Sequence, residues 1–98
     1  MVGYIAGFYE GEGCAATRHG RGRIHPQIRI GQKDPTALKF IQKELGMGRI
    51  YSRQRGEQTY YSLVIYPKSD VRRFIRLIYR HVQSPRRRAD LRRVYLSI

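Results

Sequence analysis

Two carboxylates two residues apart, Glu10 and Glu12, carry the clearest chemical meaning in this 98-residue chain. They follow an apolar run and alternate with Gly11 and Gly13, so Val2 to Glu10 reads as a short helix that the two glycines end. Helix carbonyls concentrate partial negative charge at that end, and carboxylates placed there are repelled by it. No cation lies within five residues on either side, the nearest being Arg18. A hard divalent ion, bound by carboxylate and carbonyl oxygens and completed by water and phosphate, would reverse the local field. An ordinary solvated pair of glutamates accounts for the same residues, and the physics alone leaves both readings open.

The helix that must position these acids is itself unusual. Gly3, Gly7 and Gly11 recur every four residues, with Ala6 beside them, so one face is nearly bare. Glycine costs about 1 kcal/mol at an interior helix position relative to alanine, and a close backbone approach is the usual compensation. A chain of this length holds no twin helix, so the same helix of a second copy is the expected partner. Packing against the chain's own sheet is the competing reading.

Beyond the acids, Cys14 to His19 reads as a strand that turns through Gly20, Arg21 and Gly22. Arg23 to Gln32 follows and alternates cleanly. Ile24, Pro26, Ile28 and Ile30 fall on one side, with Arg23, His25, Gln27 and Arg29 on the other. Pro26 points to a strand near an edge or a bulge. Asp34-Pro35 signals a helix start, and the stripe Leu38, Ile41, Leu45 stops at Gly46. Arg49 to Gln54 and Thr59 to Tyr66 make a second hairpin. Ser69-Asp70 opens a helix with Val71, Phe74, Ile78 and Val82 inward and Arg72, Arg73, Arg76 and Arg80 outward. Ser84-Pro85 starts a last short helix carrying Leu91, Val94 and Ile98. The order helix, hairpin, helix, hairpin, helix, helix is α+β, in one domain over residues 1–98.

Both hairpins load their outer side with cations and amides: Arg18, Arg23, His25, Gln27 and Arg29 from the first, Arg49, Tyr51 and Arg53 from the second. No acid lies between residues 13 and 33. Two such faces in one small domain read as a nucleic-acid surface. Composition agrees: twenty Lys+Arg against seven Asp+Glu leave a formal net charge of +13, which calls for a polyanionic partner. Sixteen of the twenty are arginine, suited to bidentate contacts with phosphate and guanine. A coding bias toward arginine explains that excess equally well. No long apolar run and no leader-like start is present, so membrane spans and secretion are not expected. Cys14 is alone, which excludes an intrachain disulfide and fits a reducing intracellular compartment. No base stands beside it, and it reads as a small core residue. His19, His25 and His81 lack the spacing of a zinc site.

Ile5-Ala6-Gly7-Phe8-Tyr9-Glu10-Gly11-Glu12-Gly13 resembles the motif of the LAGLIDADG homing endonucleases in its Gly-acid-Gly-ended form. The likeness continues through Gln32-Lys33-Asp34, through Leu45-Gly46-Met47-Gly48 at the third strand, and into Arg88-Ala89-Asp90-Leu91. It implies a saddle-shaped antiparallel sheet over DNA and a homodimer with two motif helices at its centre. The activity implied is a Mg2+-dependent double-strand break in a long, near-palindromic site on double-stranded DNA, in the service of intron or intein mobility. Carried over residue by residue, Glu12 matches the metal-binding acid, Gly11 adds its carbonyl, and Gln32 matches a residue ordering the water around the metal. Glu10 matches a more structural motif position. It joins Gly3, Ala6 and Gly7 as the expected dimer interface. Lys33 and Tyr61 join the two strand faces as expected DNA contacts.

The sequence departs from the pattern in places. Family members commonly carry a lysine in the loop before the last helix. Here that stretch reads Gln83-Ser84-Pro85-Arg86-Arg87-Arg88, with Pro85 at the nearest match. Arg86 or Arg87 is the expected substitute, acting by electrostatics alone because arginine does not give up a proton. The segment after Gln32 is short, Thr36 replaces a basic residue of some relatives, and the C-terminal helices of larger relatives have no counterpart. Two other classes compete: a non-cutting protein on the same scaffold (an RNA maturase or a DNA-binding regulator), and a basic structural RNA binder such as a ribosomal protein. Glu12 disfavours both, since a pure binder gains nothing from an acid facing phosphate.

Overall fold

The computed structural model describes all 98 residues. Its elements run α1 (Val2–Glu12), β1 (Gly13–Gly20), β2 (Arg23–Gln32), α2 (Thr36–Leu45), β3 (Arg49–Arg55), β4 (Gln58–Ile65), α3 (Lys68–Ile78), a 3-10 turn (Tyr79–His81) and α4 (Pro85–Ser97). The expected α+β order is what the chain adopts. The last helix is not short: at 13 residues it is the longest of the four. No helix is long and apolar enough to cross a membrane.

The strands form one antiparallel sheet in the order β1-β2-β4-β3. One face is apolar at every second position. Ile28 and Ile30 of β2 and Leu63 and Ile65 of β4 pack with Ile5 and Tyr9 of α1, Leu38 and Ile41 of α2, Phe74 and Ile78 of α3, and Leu91 and Val94 of α4. All four helices lean on this face and leave the other bare. β2 is a central strand of the sheet, where Pro26 pointed to a strand near an edge or a bulge. The physical reason survives locally, because β4 pairs only with Ile28 to Gln32 and leaves the Pro26 half with β1 as its single neighbour.

Local chemistry sets the boundaries. Asp34 Oδ1 accepts the Thr36 backbone N–H at 2.8 Å, which starts α2, and hydrogen bonding from Thr36 holds the Asp34 carboxyl below its usual value. The Ser84 side chain accepts the Arg87 N–H at 3.3 Å at the start of α4, with Pro85 in the first turn. Gly48 enters β3 at φ +92, and a Cβ there would meet Leu63 Cδ1 at 2.8 Å, so only glycine fits. At the acidic helix the expectation is corrected. α1 does not stop at Glu10 but runs through Gly11 and Glu12, because Gly13 leaves the helix in extended conformation (φ −100, ψ 163) and passes straight into β1.

Candidate nucleic-acid interface and its acidic corner

Pairing register places the polar side chains without reference to their rotamers. Cys14, Arg29, Val64 and Arg49 form one rung across all four strands on the bare face. Gly31, Ser62 and Tyr51 form the next, followed by Tyr60 with Arg53 and Gln58 with Arg55. In the other direction stand Ala16 with Gln27, Arg18 with His25, and Gly20 with Arg23. Arg18, Arg23, His25, Gln27, Arg29, Arg49, Tyr51 and Arg53 therefore share one face, as their alternation required. Val64 lies on this face yet is only 1% exposed. The aliphatic stems of Arg29 and Arg49, its neighbours in the rung, are placed to cover it while their charged heads stay at the surface.

A hollow on this face gathers Glu12, Arg29, Gln32, Lys33, Tyr51, Arg53, Arg55, Tyr60, Tyr61, Ser62 and Tyr66. It brings the motif acid, the glutamine at the end of β2 and five of the expected DNA contacts into one depression. Arg23 and His25 line a second, smaller one beside the β1–β2 turn. Three placements differ from expectation. Gln27 shares the face but is only 7% exposed, largely enclosed by its neighbours. Tyr61 pairs with Ser52 and Gln32, on the alternate parity, and is half-buried against the core while still lining the hollow. Tyr60 is the tyrosine that shares a face with the arginines. Cys14 is exposed on the arginine face rather than buried in the core. Arg55 and Tyr60 were missed: Arg55 continues the Arg49, Tyr51, Arg53 alternation and falls opposite Gln58.

At the corner, the two motif acids have separate roles. Glu12 is exposed and makes no hydrogen bond or ion pair within the chain. Glu10 is half-buried, and its Oε1 accepts the backbone N–H of Gln83 just ahead of α4. No cation lies near this helix end in sequence, yet one reaches it from far along the chain. Arg87, in the first turn of α4 and not in a loop, donates from its guanidinium to the carbonyl oxygen of Gly13. Arg86 beside it is exposed and makes no hydrogen bond within the chain. Gly13 is tightly enclosed, since a Cβ there would run into the Tyr9 ring and lie 2.7 Å from the Tyr9 carbonyl.

Tyr9 itself is 0% exposed, and its hydroxyl has no hydrogen-bond partner. Burial pushes the phenol above its ordinary value, with the Arg87 charge opposing that rise and Asp90 adding to it. An unpartnered buried hydroxyl costs about 1–3 kcal/mol. Tyr9→Phe, which keeps the ring on Phe74 (centroids 6.0 Å), is therefore expected to leave stability unchanged or raise it by up to about 2 kcal/mol in urea melts. A loss of more than about 1 kcal/mol would reveal a partner for the hydroxyl.

Along α1 the bare stripe is real. Nothing lies within 4 Å of a Cβ built at Gly3, Gly7 or Gly11. Ala6 does not share it: it turns inward at 0% exposure and joins the core. Beside the stripe Tyr4 stands 48% exposed, in contact with Phe8 (centroids 5.8 Å) and with Phe40 of α2 (5.9 Å), itself 43% exposed.

The oxygens at this corner fit a hard divalent cation. The donors are the Glu12 carboxylate and the last carbonyls of α1, Gly11 among them, which lack partners within the helix. No three His, Cys, Asp or Glu side chains of the chain cluster for a metal, so such an ion would complete its shell with water, phosphate or a second copy.

Residues 1–79 match the family model described as a LAGLIDADG-like domain. The chain belongs to this family. Solved LAGLIDADG structures share the fold over nearly the whole chain. The homing endonuclease I-CvuI, in complex with its DNA target, superposes with a TM-score of 0.79 at 19% identity, covering 97% of this chain and 63% of that one. The homing endonuclease I-TnaI gives 0.78 at 21%, covering 96% and 68%. The LAGLIDADG meganuclease I-AabMI, bound to uncleaved DNA, gives 0.82 at 21%, covering 98% of this chain and 35% of that one. The chain thus spans 63% of the length of I-CvuI and 68% of that of I-TnaI. A search of curated proteins finds no match. α4, with Arg87, lies beyond the segment that the family model matches.

Proposed function

We propose that this LAGLIDADG protein is a site-specific homing endonuclease. It would act as a homodimer and make a Mg2+-dependent double-strand break in a long, near-palindromic duplex. The observation that carries this reading is the position of Glu12. It is an unpaired carboxylate, the one acid lining a hollow that holds four cationic side chains, in a family whose solved members include complexes with target DNA. A face built only to hold phosphate has no use for it.

Each part of the chain has a task in this reading. Arg18, Arg23, Arg29, Arg49, Arg53 and Arg55 project toward the duplex, where phosphate contacts set position and base-edge contacts set sequence. Lys33 and Tyr51 extend that surface around the acid. The bare stripe of α1 meets the same stripe of a second copy, with Tyr4 and Phe40 closing over the seam, so that two Glu12 side chains approach two strands. Glu12 and the Gly11 carbonyl would hold the cation, and Gln32, in the same hollow, would orient water. Bound there, a divalent ion supplies an activated water and neutralises charge on the phosphate. The work would take place inside the cell, where the target DNA lies.

Two measurements test the reading. Incubation of the full chain with a randomised duplex library and Mg2+, followed by sequencing of ends, is expected to return one cut site with approximate two-fold symmetry. Retention of duplexes without new ends would favour the non-cutting relative instead. The affinity itself should be strongly salt-dependent: if each subunit neutralises ~4–6 phosphates, the log–log slope for the dimer lies near −7 to −11. A slope shallower than about −3 would mean that the arginine face is not the binding surface.

A further inference from the structure

We propose that Arg87 is a positioning residue for Glu12, reaching the acid through Gly13 rather than through substrate. The proposal rests on the nuclease reading above for its effect on rate, and on the structure alone for its effect on the backbone.

Gly13 is the residue directly after Glu12, and the chain grips it at both of its peptide groups. Its N–H donates to the Tyr9 carbonyl, which fixes the Glu12–Gly13 peptide as the cap of α1. Its own carbonyl accepts the Arg87 guanidinium, which fixes the Gly13–Cys14 peptide as β1 begins. The Tyr9 ring closes the space where a side chain would be, so the glycine has no room to shift. Just ahead of it Gly11 and Glu12 are exposed and form the last residues of α1. The direction in which Glu12 leaves the backbone is therefore set by the last turn of α1 together with the junction at Gly13 that fixes where that turn ends.

The grip comes from α4 as a unit. Ser84 caps that helix through the Arg87 N–H, Glu10 accepts the Gln83 N–H, and Arg87 reaches across to Gly13. Two links, one on each side of Glu12 in sequence, thus tie the start of α4 to the end of α1. The arginine also has an electrostatic task. α1 ends with unpaired carbonyls and two carboxylates, and a half-buried guanidinium on the Gly13 oxygen offsets that charge from behind. Glu12 is then left free to face the hollow, while Arg87 is already committed and half-buried. A guanidinium so engaged orients the acid and does not touch the scissile phosphate.

The test compares Arg87→Gln, Arg87→Lys and Arg86→Gln in the full-length chain. Amide hydrogen exchange, read without DNA or metal, is expected to speed up about tenfold or more at Gly13 and Cys14 in Arg87→Gln, with the α2 and β4 cores unchanged. Arg87→Lys, which keeps the charge and one donor, should fall between it and wild type. On a cognate duplex the single-turnover rate of Arg87→Gln should drop about 10–100-fold and need more Mg2+ for half its maximum, with the DNA affinity in Ca2+ held within about threefold. Arg86→Gln should leave exchange at Gly13 as in wild type. Wild-type exchange at Gly13 in Arg87→Gln, or an unchanged Mg2+ requirement in a cutting protein, overturns the proposal. So does a parallel loss of DNA affinity and rate, which would make Arg87 a DNA contact. If wild type does not cut at all while the local opening is seen, the nuclease reading fails and the positioning of Glu12 stands. If Arg87→Gln does not fold, an exchange rate in Arg87→Lys equal to wild type overturns the proposal.

Discussion

Glu12→Gln is expected to abolish cutting of a cognate duplex and to leave binding equal or slightly tighter. The exposed Glu12 carboxylate has no hydrogen bond or ion pair to lose within the chain, so an isosteric amide leaves the fold as it was. It sits in a hollow with Arg29, Lys33, Arg53 and Arg55, where its charge is the one that opposes phosphate. The amide removes that repulsion and also most of the affinity for a hard cation. Outer partners of a metal ligand are typically worth about 10–100-fold in activity, so loss of the ligand itself should exceed that range. Glu10→Gln makes the internal control. Its oxygen accepts the Gln83 N–H, and exchanging a charged acceptor for a neutral one should cost about 1 kcal/mol of stability with a smaller effect on rate. The paired assay is cleavage in Mg2+ and binding in Ca2+ on the same duplex. Undiminished cutting by the Glu12 variant removes it from the catalytic centre, and equal loss of binding and cutting makes it structural.

What sequence could and could not deliver divides along the range of the interactions. Period-two alternation in Arg23–Gln32 needed only neighbours, and the register confirms one arginine face and one isoleucine face on β2. Cys14 and Tyr61 each fall on the face opposite to the one expected of them. Strand parity there depends on where the strand begins and how the turn closes, and a one-residue slip exchanges faces. β1 starts at Gly13, which turns Ala15 inward and Cys14 outward. On β4, Arg53 pairs with Tyr60, which puts the arginine side on even numbers. At the end of α1, Gly11 looked like a stop because glycine is so often the left-handed cap. The helix instead continues and leaves through an extended Gly13. Ala6 has a small side chain like the stripe beside it, yet its angular position faces the core. The cation at the acidic corner comes from Arg87, 74 residues beyond Gly13 along the chain, so no window around Glu12 could contain it.

Gly7→Leu is expected to turn a dimer into a monomer without unfolding it. Nothing lies within 4 Å of a Cβ at Gly7, so within one chain the added side chain meets only solvent. Replacing a helix-interior glycine also removes a propensity penalty of up to about 1 kcal/mol, and the isolated monomer should melt at the same temperature or higher. The sign reverses if the bare stripe packs on its twin. The leucine then enters the seam from both sides, and overpacking at about 1–3 kcal/mol per site gives about 2–6 kcal/mol per dimer. That corresponds to a dimer Kd raised at least about 30-fold. The flanking rings argue for the second outcome, because Tyr4 and Phe40 leave apolar surface exposed next to a helix face without side chains. Sedimentation of wild type and variant across a concentration series, with and without duplex, reads the difference. A wild type that stays monomeric at micromolar concentration in both conditions, or a Gly7→Leu dimer as tight as wild type, would remove the paired α1 helices from the centre of the assembly. Two Glu12 side chains would then have to reach the duplex independently, one strand at a time.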